Sequence, residues 1–188
     1  MSYNTYLLLL AQHNVGSIDT MYVCIKVQAS NDMTPAIDIL IEQKVVFQLH
    51  RYSHDTQAGA YGEEAAKKLG IAYEKVYKTL VIAGSQGQMA VAIVPVSHKL
   101  SMKKMAKALA WKKVALADKE QVSRSSGYVI GGVSPLGQKK SLRTIIDKSS
   151  VAFPTIFISA GKRGLEIELS SQDLAFLTKA KFADISGD

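Results

Sequence analysis

Between Gly127 and Gly137 the chain packs four glycines and a proline into eleven residues, Gly127-Tyr128-Val129-Ile130-Gly131-Gly132-Val133-Ser134-Pro135-Leu136-Gly137. Ordering such a stretch is costly in chain entropy, so a sharp bend or a close approach to a ligand should repay it. Two readings stay open. One is a bulged corner of a sheet; the other is a cradle whose exposed backbone N–H groups hold a carbonyl or phosphate oxygen. The spacing fits neither a P-loop nor a dinucleotide fingerprint, which removes both nucleotide-binding classes.

The flanking pattern favours a mixed sheet. Thr34 reads as an N-cap with Pro35 at the first helical position, and Ile37, Leu40 and Ile41 follow at helical spacing. A strand is expected over 45–52, and a helix over 62–69 stopped by Gly70. A hairpin is expected over 73–83 and 89–96, and an amphipathic helix over 101–111. A short strand at 114–117 precedes a helix with a capping box, Asp118 with Gln121. Strands are predicted at 128–133, 143–147, 155–159 and 165–169, then a helix from Ser170 to Lys179 and a last strand at 182–185. Strands outnumber helices and few βαβ units alternate. The expected fold is therefore α+β, a mixed α/β arrangement with a curved, partly closed mixed sheet and surrounding helices.

Residues 1–32 carry only Asp19, Lys26 and Asp32 as charges and show no sustained period. They are expected to form an extension ahead of a domain spanning 33–188, whether as a loose arm, an upstream start or an added strand around 21–27. The early apolar run Leu7 to Ala11 is too short to span a bilayer and lacks a basic flank. Neither a membrane nor a secretory role is expected. The single cysteine, Cys24, forbids an intrachain disulfide and fits a reducing compartment.

Lysine and arginine total 23 against 16 acidic residues, a formal charge of +7. The excess is gathered into patches. Lys99, Lys103, Lys104, Lys107, Lys112 and Lys113 stand in a run without an acid; Lys139, Lys140 and Arg143 form a second group, and Lys162 with Arg163 a third. Charge alone would serve solubility equally well, but three one-signed patches lean toward an RNA partner.

Chemistry could sit on two further stretches. In a strand over 76–82, Val76, Lys78, Leu80 and Ile82 share a face, which sets one lysine among aliphatics. Its ammonium either meets a carboxylate, carbonyl or ligand, or snorkels to water; pattern alone favours snorkelling. In Gly161-Lys162-Arg163-Gly164-Leu165-Glu166-Ile167-Glu168-Leu169 the aliphatics pack inward and Glu166 and Glu168 take the opposite face. The Gly-Lys-Arg-Gly turn is a plain hairpin or a phosphate contact. His50 and His54 lack a third ligand for a metal. No nucleophile elbow or Ser-His-Asp signature is present.

Taken in order, Lys78-Thr79-Leu80, the run from Gly127 to Lys140, and Gly161 to Leu169 resemble the YbaK/EbsC family of bacterial Cys-tRNA(Pro) and Cys-tRNA(Cys) deacylases. That family is related to the editing insertion of prolyl-tRNA synthetases. Met33-Thr34-Pro35-Ala36 is similar to its usual beginning and Lys181-Phe182-Ala183-Asp184-Ile185 to its usual end.

The resemblance implies a cytoplasmic enzyme without metal or organic cofactor, acting in trans on Cys-tRNA(Pro) and partnered with prolyl-tRNA synthetase, with no DNA involved. By position, Lys78 matches the essential lysine, and Tyr52, Thr79, Gly131, Gly132 and Ser159 match substrate-pocket residues. Glu166 stands where members usually carry aspartate, one methylene shorter. Lys103, Lys104, Lys107, Lys139, Lys162 and Arg163 would meet tRNA. The family is held to let the substrate's own thiol attack the ester, releasing a thiolactone; Gly131 and Gly132 N–H groups would then hold the carbonyl oxygen. A deacylase for Ala-tRNA(Pro) or another small aminoacyl-tRNA, and a non-catalytic tRNA-binding module, are the alternatives.

Overall fold

A computed structural model describes residues 6–10, 22–26, 32–55 and 59–187, the first two segments as backbone only. The remaining parts of the 1–32 extension lie outside the described residues. In chain order the elements are β1 (Tyr6–Leu10), β2 (Tyr22–Lys26), α1 (Pro35–Glu42), β3 (Phe47–Arg51), α2 (Tyr61–Leu69), β4 (Val76–Gly84), β5 (Met89–Pro95) and β6 (Lys99–Leu100). There follow α3 (Met102–Leu109), β7 (Val114–Leu116), α4 (Lys119–Ser126), β8 (Arg143–Asp147), β9 (Ile156–Lys162), β10 (Leu165–Leu169), α5 (Ser171–Thr178), β11 (Lys181–Ala183) and β12 (Ser186–Gly187).

Local chemistry explains the helix ends. The Thr34 hydroxyl accepts from Ile37 N–H at 3.3 Å and donates to the Ala160 carbonyl at 2.5 Å, so one cap also ties α1 to β9. Asp118 and Gln121 exchange both bonds of a capping box ahead of α4. Gly70, at φ +67, closes α2 in the left-handed conformation.

The main sheet has eight strands and both pairing senses. Its order is β11-β8-β5-β4-β9-β10-β3, with β7 branching from β4. Pairs β11/β8, β5/β8 and β4/β9 are parallel and the rest antiparallel. The mixed α/β class expected from the pattern is therefore observed. Among the described residues the end strands β11 and β3 do not pair, and the interruption of the sheet lies inside it, beside β4.

Both sheet faces are covered. On one, Tyr77, Ile93, Ile146, Ile158 and Ile167 pack against Ile37 and Leu40 of α1 and Leu174 of α5. On the other, Ile82, Ala92 and Val94 meet Met105 and Leu109 of α3, while Val76 and Phe157 meet Ala66 of α2. The all-apolar strand β5 follows from this, since a strand covered on both faces needs no polar one.

Two predicted strands are corrected. Residues 128–133 form a loop, because Gly131 at φ +88 and the Gly132 N–H to Val129 carbonyl bond (3.0 Å) turn the chain back on itself. The strand expected over 182–185 is two pieces, β11 and β12. Between them Asp147 accepts the Ile185 and Ser186 N–H groups at 3.0 and 2.9 Å, drawing the chain from β8 toward β6.

Candidate active site

The site grows from the interruption beside β4. That strand pairs with β9 only at Val76 and Tyr77, and with β7 only at Ile82, Ala83 and Gly84. The Val76 carbonyl and the Gly84 N–H bond on the β5 side, while the Val81 carbonyl accepts from Ala117 on the other. Strand parity therefore aims the backbone N–H and C=O of Thr79 into the gap. A cavity of about 380 Å³ fills it.

Three separate stretches of sequence meet on its walls: Lys78 and Thr79 from β4, Ile130 and Gly131 from the glycine loop, and Ser159 and Glu166 from β9 and β10. Aliphatic side chains supply most of the remainder, including Val76, Val96, Val122 and Val133. Few polar groups in an apolar cavity of this size is the usual make-up of a small-ligand site. Thr79 Oγ1 is buried there with no hydrogen-bond partner.

Lys78 Nζ donates to the His98 carbonyl at 2.7 Å. Burial lowers its pKa below the ordinary lysine value; Glu63 at the cavity wall opposes this and Lys99 adds to it. The ammonium is thus held at the site by a neutral acceptor, leaving its charge uncompensated by any ion pair among the described residues.

Two buried glutamates, at 9% and 7% exposure, show how neighbours decide charge. Burial pushes Glu64 up, but Asp55 N–H (2.6 Å), His54 Nδ1 (2.8 Å) and Lys68 Nζ (3.1 Å) donate to it and hold it below the usual carboxylate range. Glu166 has no donor among the described residues, and burial alone pushes it up to about 8. The same side chain is an anion in one place and a neutral acid in the other.

A stability test follows from that contrast. The native Glu166 carboxyl keeps its proton over a window, from the ordinary 4.5 to about 8, in which the unfolded chain has lost it. Wild-type stability should therefore fall as pH rises through this window and level off above it. Glu166→Gln cannot ionise, so its melting temperature should rise relative to wild type across the window. Parallel melting curves that keep a constant separation from pH 5 to pH 9 would contradict the assignment.

Not every predicted site residue reaches the cavity. Tyr52 lies outside its walls, though near enough to Glu166 and Glu64 that burial, aided by both, pushes its hydroxyl up to about 12. Gly132 also stands back, and its N–H is spent on Val129; the expected carbonyl-holding role is corrected for this residue. Its neighbour Gly131 lines the cavity, where an added Cβ would sit 2.6 Å from the Tyr61 ring.

The basic residues divide. Lys103 and Lys107 lie exposed on α3, as does Lys139 after the glycine loop. Lys104 is instead tied to Asp184 at 2.8 Å and the Ser186 carbonyl at 2.7 Å, pinning the C-terminal strand. Arg163 donates through Nε and Nη2 to the Ile130 carbonyl (3.2 and 2.7 Å), with its guanidinium 5.0 Å from the Tyr61 ring centre. It clamps the glycine loop to the start of α2, which corrects its expected place on RNA; Lys162 beside it is exposed and also makes contacts within the chain.

Arg163→Lys keeps the charge but loses the planar fork. Activity should fall several-fold, in line with about 1 kcal/mol for the ring contact, while the salt dependence of RNA binding stays put. Unchanged activity with a shallower salt slope would restore Arg163 to the RNA surface.

Sequence reasoning missed Tyr61, Glu63 and the His54–Glu64 pair. Only Gly62 signalled the close helix: a Cβ there would stand 2.4 Å from Val96 Cγ1. Among the described residues no group of three or more His, Cys, Asp or Glu could hold a metal, and no helix is long and apolar enough to cross a membrane.

The fold matches a known class of α/β proteins. The crystal structure of "hypothetical protein APE2540" superposes with a TM-score of 0.74 at 22% identity, covering 82% of this chain and 100% of that one. A structure described as "a putative trans-editing enzyme for prolyl tRNA synthetase" gives 0.67 at 23% identity, covering 76% and 87%. Residues 56–177 match the aminoacyl-tRNA editing domain. The protein named "Putative Cys-tRNA(Pro)/Cys-tRNA(Cys) deacylase EbsC" from Enterococcus faecalis is 33% identical over 153 residues, covering 81% of this chain and 93% of its own. A proline–tRNA ligase from Trichlorobacter lovleyi is 28% identical over 99 residues, covering 53% of this chain and 17% of the ligase. The chain belongs to the aminoacyl-tRNA editing domain family, whose members act on aminoacyl-tRNAs.

Proposed function

We propose that this protein is a cytoplasmic trans-acting deacylase that clears cysteine from mischarged tRNA(Pro). The observation that carries the reading is the convergence of Lys78, Thr79, Gly131, Ser159 and Glu166, drawn from three distant stretches, on one apolar cavity. The likeness to a relative named for Cys-tRNA(Pro) and Cys-tRNA(Cys) supports the choice of cysteine.

An aminoacyl ester is already activated, so its cleavage needs positioning and charge stabilisation more than a protein nucleophile. The cysteinyl thiol is that nucleophile: sulfur bonds to the carbonyl carbon, the bond to the terminal ribose oxygen breaks, and the thiol proton ends on that oxygen. The products are a thiolactone and free tRNA. Lys78 stabilises the charge that develops on the departing or carbonyl oxygen, and the Gly131 segment shapes the wall beside it. Lys103, Lys107, Lys139 and Lys162 provide the salt-sensitive attraction for the acceptor stem. Prolyl-tRNA synthetase is the partner that supplies the mischarged product.

The test is a panel. Cys-tRNA(Pro) should be deacylated, while Ala-tRNA(Pro) and Pro-tRNA(Pro) persist, and a Lys103→Glu/Lys107→Glu double variant should raise KM with little change in kcat. Faster release of alanine than of cysteine would overturn the substrate. Persistence of all three aminoacyl-tRNAs would overturn the enzyme reading in favour of a binding module.

A further inference from the structure

The proposed reaction uses the ester and the thiol of the substrate but leaves its third functional group, the α-amine, without a partner. In the cavity the two carboxyl groups are differently placed. Glu63 is exposed at the first turn of α2, solvated and already acting on Lys78. Glu166 projects from β10 into the cavity at 7% exposure, with no donor among the described residues. A carboxyl buried in this way stays neutral until a cation reaches it, because an unpaired buried anion is far costlier than a buried acid.

The groups packed around Glu166 do not fill that role. His50, its register partner on β3, is directed to Glu168 at 2.8 Å. Ser159, its partner on β9, accepts from Gly161 N–H at 3.3 Å. From α2, Glu64 is held by His54 and Lys68, and Glu63 is a second acid. On β4 the Lys78 ammonium is bound to the His98 carbonyl, and in the β9–β10 turn Arg163 is committed to Ile130. Tyr52 stays a neutral hydroxyl.

We propose that Glu166 is the counter-ion for the substrate's α-ammonium, and that it gives up its proton to solvent as the ammonium enters the cavity. The exchange balances: a neutral carboxylic acid and an ammonium become a carboxylate–ammonium pair plus one released proton. The inference rests on the aminoacyl-ester reading above and adds two things to it. One is recognition of a free α-amine, which excludes N-blocked aminoacyl-tRNAs. The other is a binding affinity that rises with pH until Glu166 is ionised in the free protein, near 8.

The experiment is calorimetric titration of the full chain with 3′-deoxy-3′-(L-cysteinylamino)adenosine, whose amide cannot be cleaved as the ester is. At pH 6, where both the Glu166 carboxyl and the free ligand's α-amine carry their protons, buffers of different ionisation enthalpy report the protons exchanged. Wild type should release close to one proton per ligand, on the order of the full carboxyl equivalent. The 3-sulfanylpropanoyl analogue, which lacks the amine, should bind without release, and this arm needs no variant. Glu166→Gln should bind the cysteinyl analogue more weakly and release none. Binding to wild type without proton release, or equal release by both ligands, would overturn this inference alone. No binding of either ligand would overturn the aminoacyl-ester reading, and this inference with it.

Discussion

Lys78→Ala is expected to slow deacylation of Cys-tRNA(Pro) by about 100-fold or more, the scale seen when one preorganised charge or donor is removed from a developing oxyanion. Melting temperature should change little, because Nζ makes a single bond to the His98 carbonyl and the residue is only partly buried. Lys78→Arg should rescue poorly, since a planar fork does not replace a compact ammonium aimed at one acceptor. Single-turnover rates of the three proteins make the comparison, and an alanine variant within threefold of wild type would make Lys78 structural. The pH profile adds a sign. Burial lowers the lysine's pKa and Glu63 holds it up, so Glu63→Gln should move the alkaline limb of the rate to lower pH, not higher.

Gly131→Ala should damage the cavity wall strongly for a single added methyl group. The residue sits at φ +88, where a Cβ costs about 1–2 kcal/mol. That Cβ would also stand 2.6 Å from the Tyr61 ring, and overpacking of this kind costs about 1–3 kcal/mol. Moving the loop relieves both, but the loop is the cavity wall. Activity should drop roughly 30-fold if about 2 kcal/mol appears at the site. Adding Tyr61→Ala should recover part of the loss, because the contact is removed while the backbone strain remains, a non-additive pair. Gly87 is the control: at φ +78 with nothing within 4 Å, its alanine variant should lose some stability and no activity. Full activity in Gly131→Ala would remove this loop from the site.

The expected residues were legible to different depths for physical reasons. Alternation put Lys78 with Leu80 and Ile82, but alternation carries no information about what the ammonium meets. The answer, a carbonyl at the turn after β5, comes from a segment twenty residues away. Glu166 was assigned to the face opposite Leu165, Ile167 and Leu169, and that packing is observed. Its protonation state depends on the glycine loop and α2 covering that face, which no spacing within 161–169 reveals. Arg163 and Lys104 read as RNA ligands because a run of basic residues looks the same whether its partners are phosphates or the chain's own carbonyls.

Short-range chemistry was legible in the sequence alone: the Thr34, Asp118–Gln121 and Ser170 caps, the left-handed stop at Gly70, and the two-residue period of the strands. Each depends on hydrogen bonds or side-chain directions within about four residues. Only the tertiary structure decided that 128–133 is a loop over a cavity, that β4 lacks a partner at Thr79 on the edge away from β5, and which of two buried glutamates bears a charge. Those outcomes turn on desolvation and on donors brought in from distant elements, and both exist only once the sheet is covered.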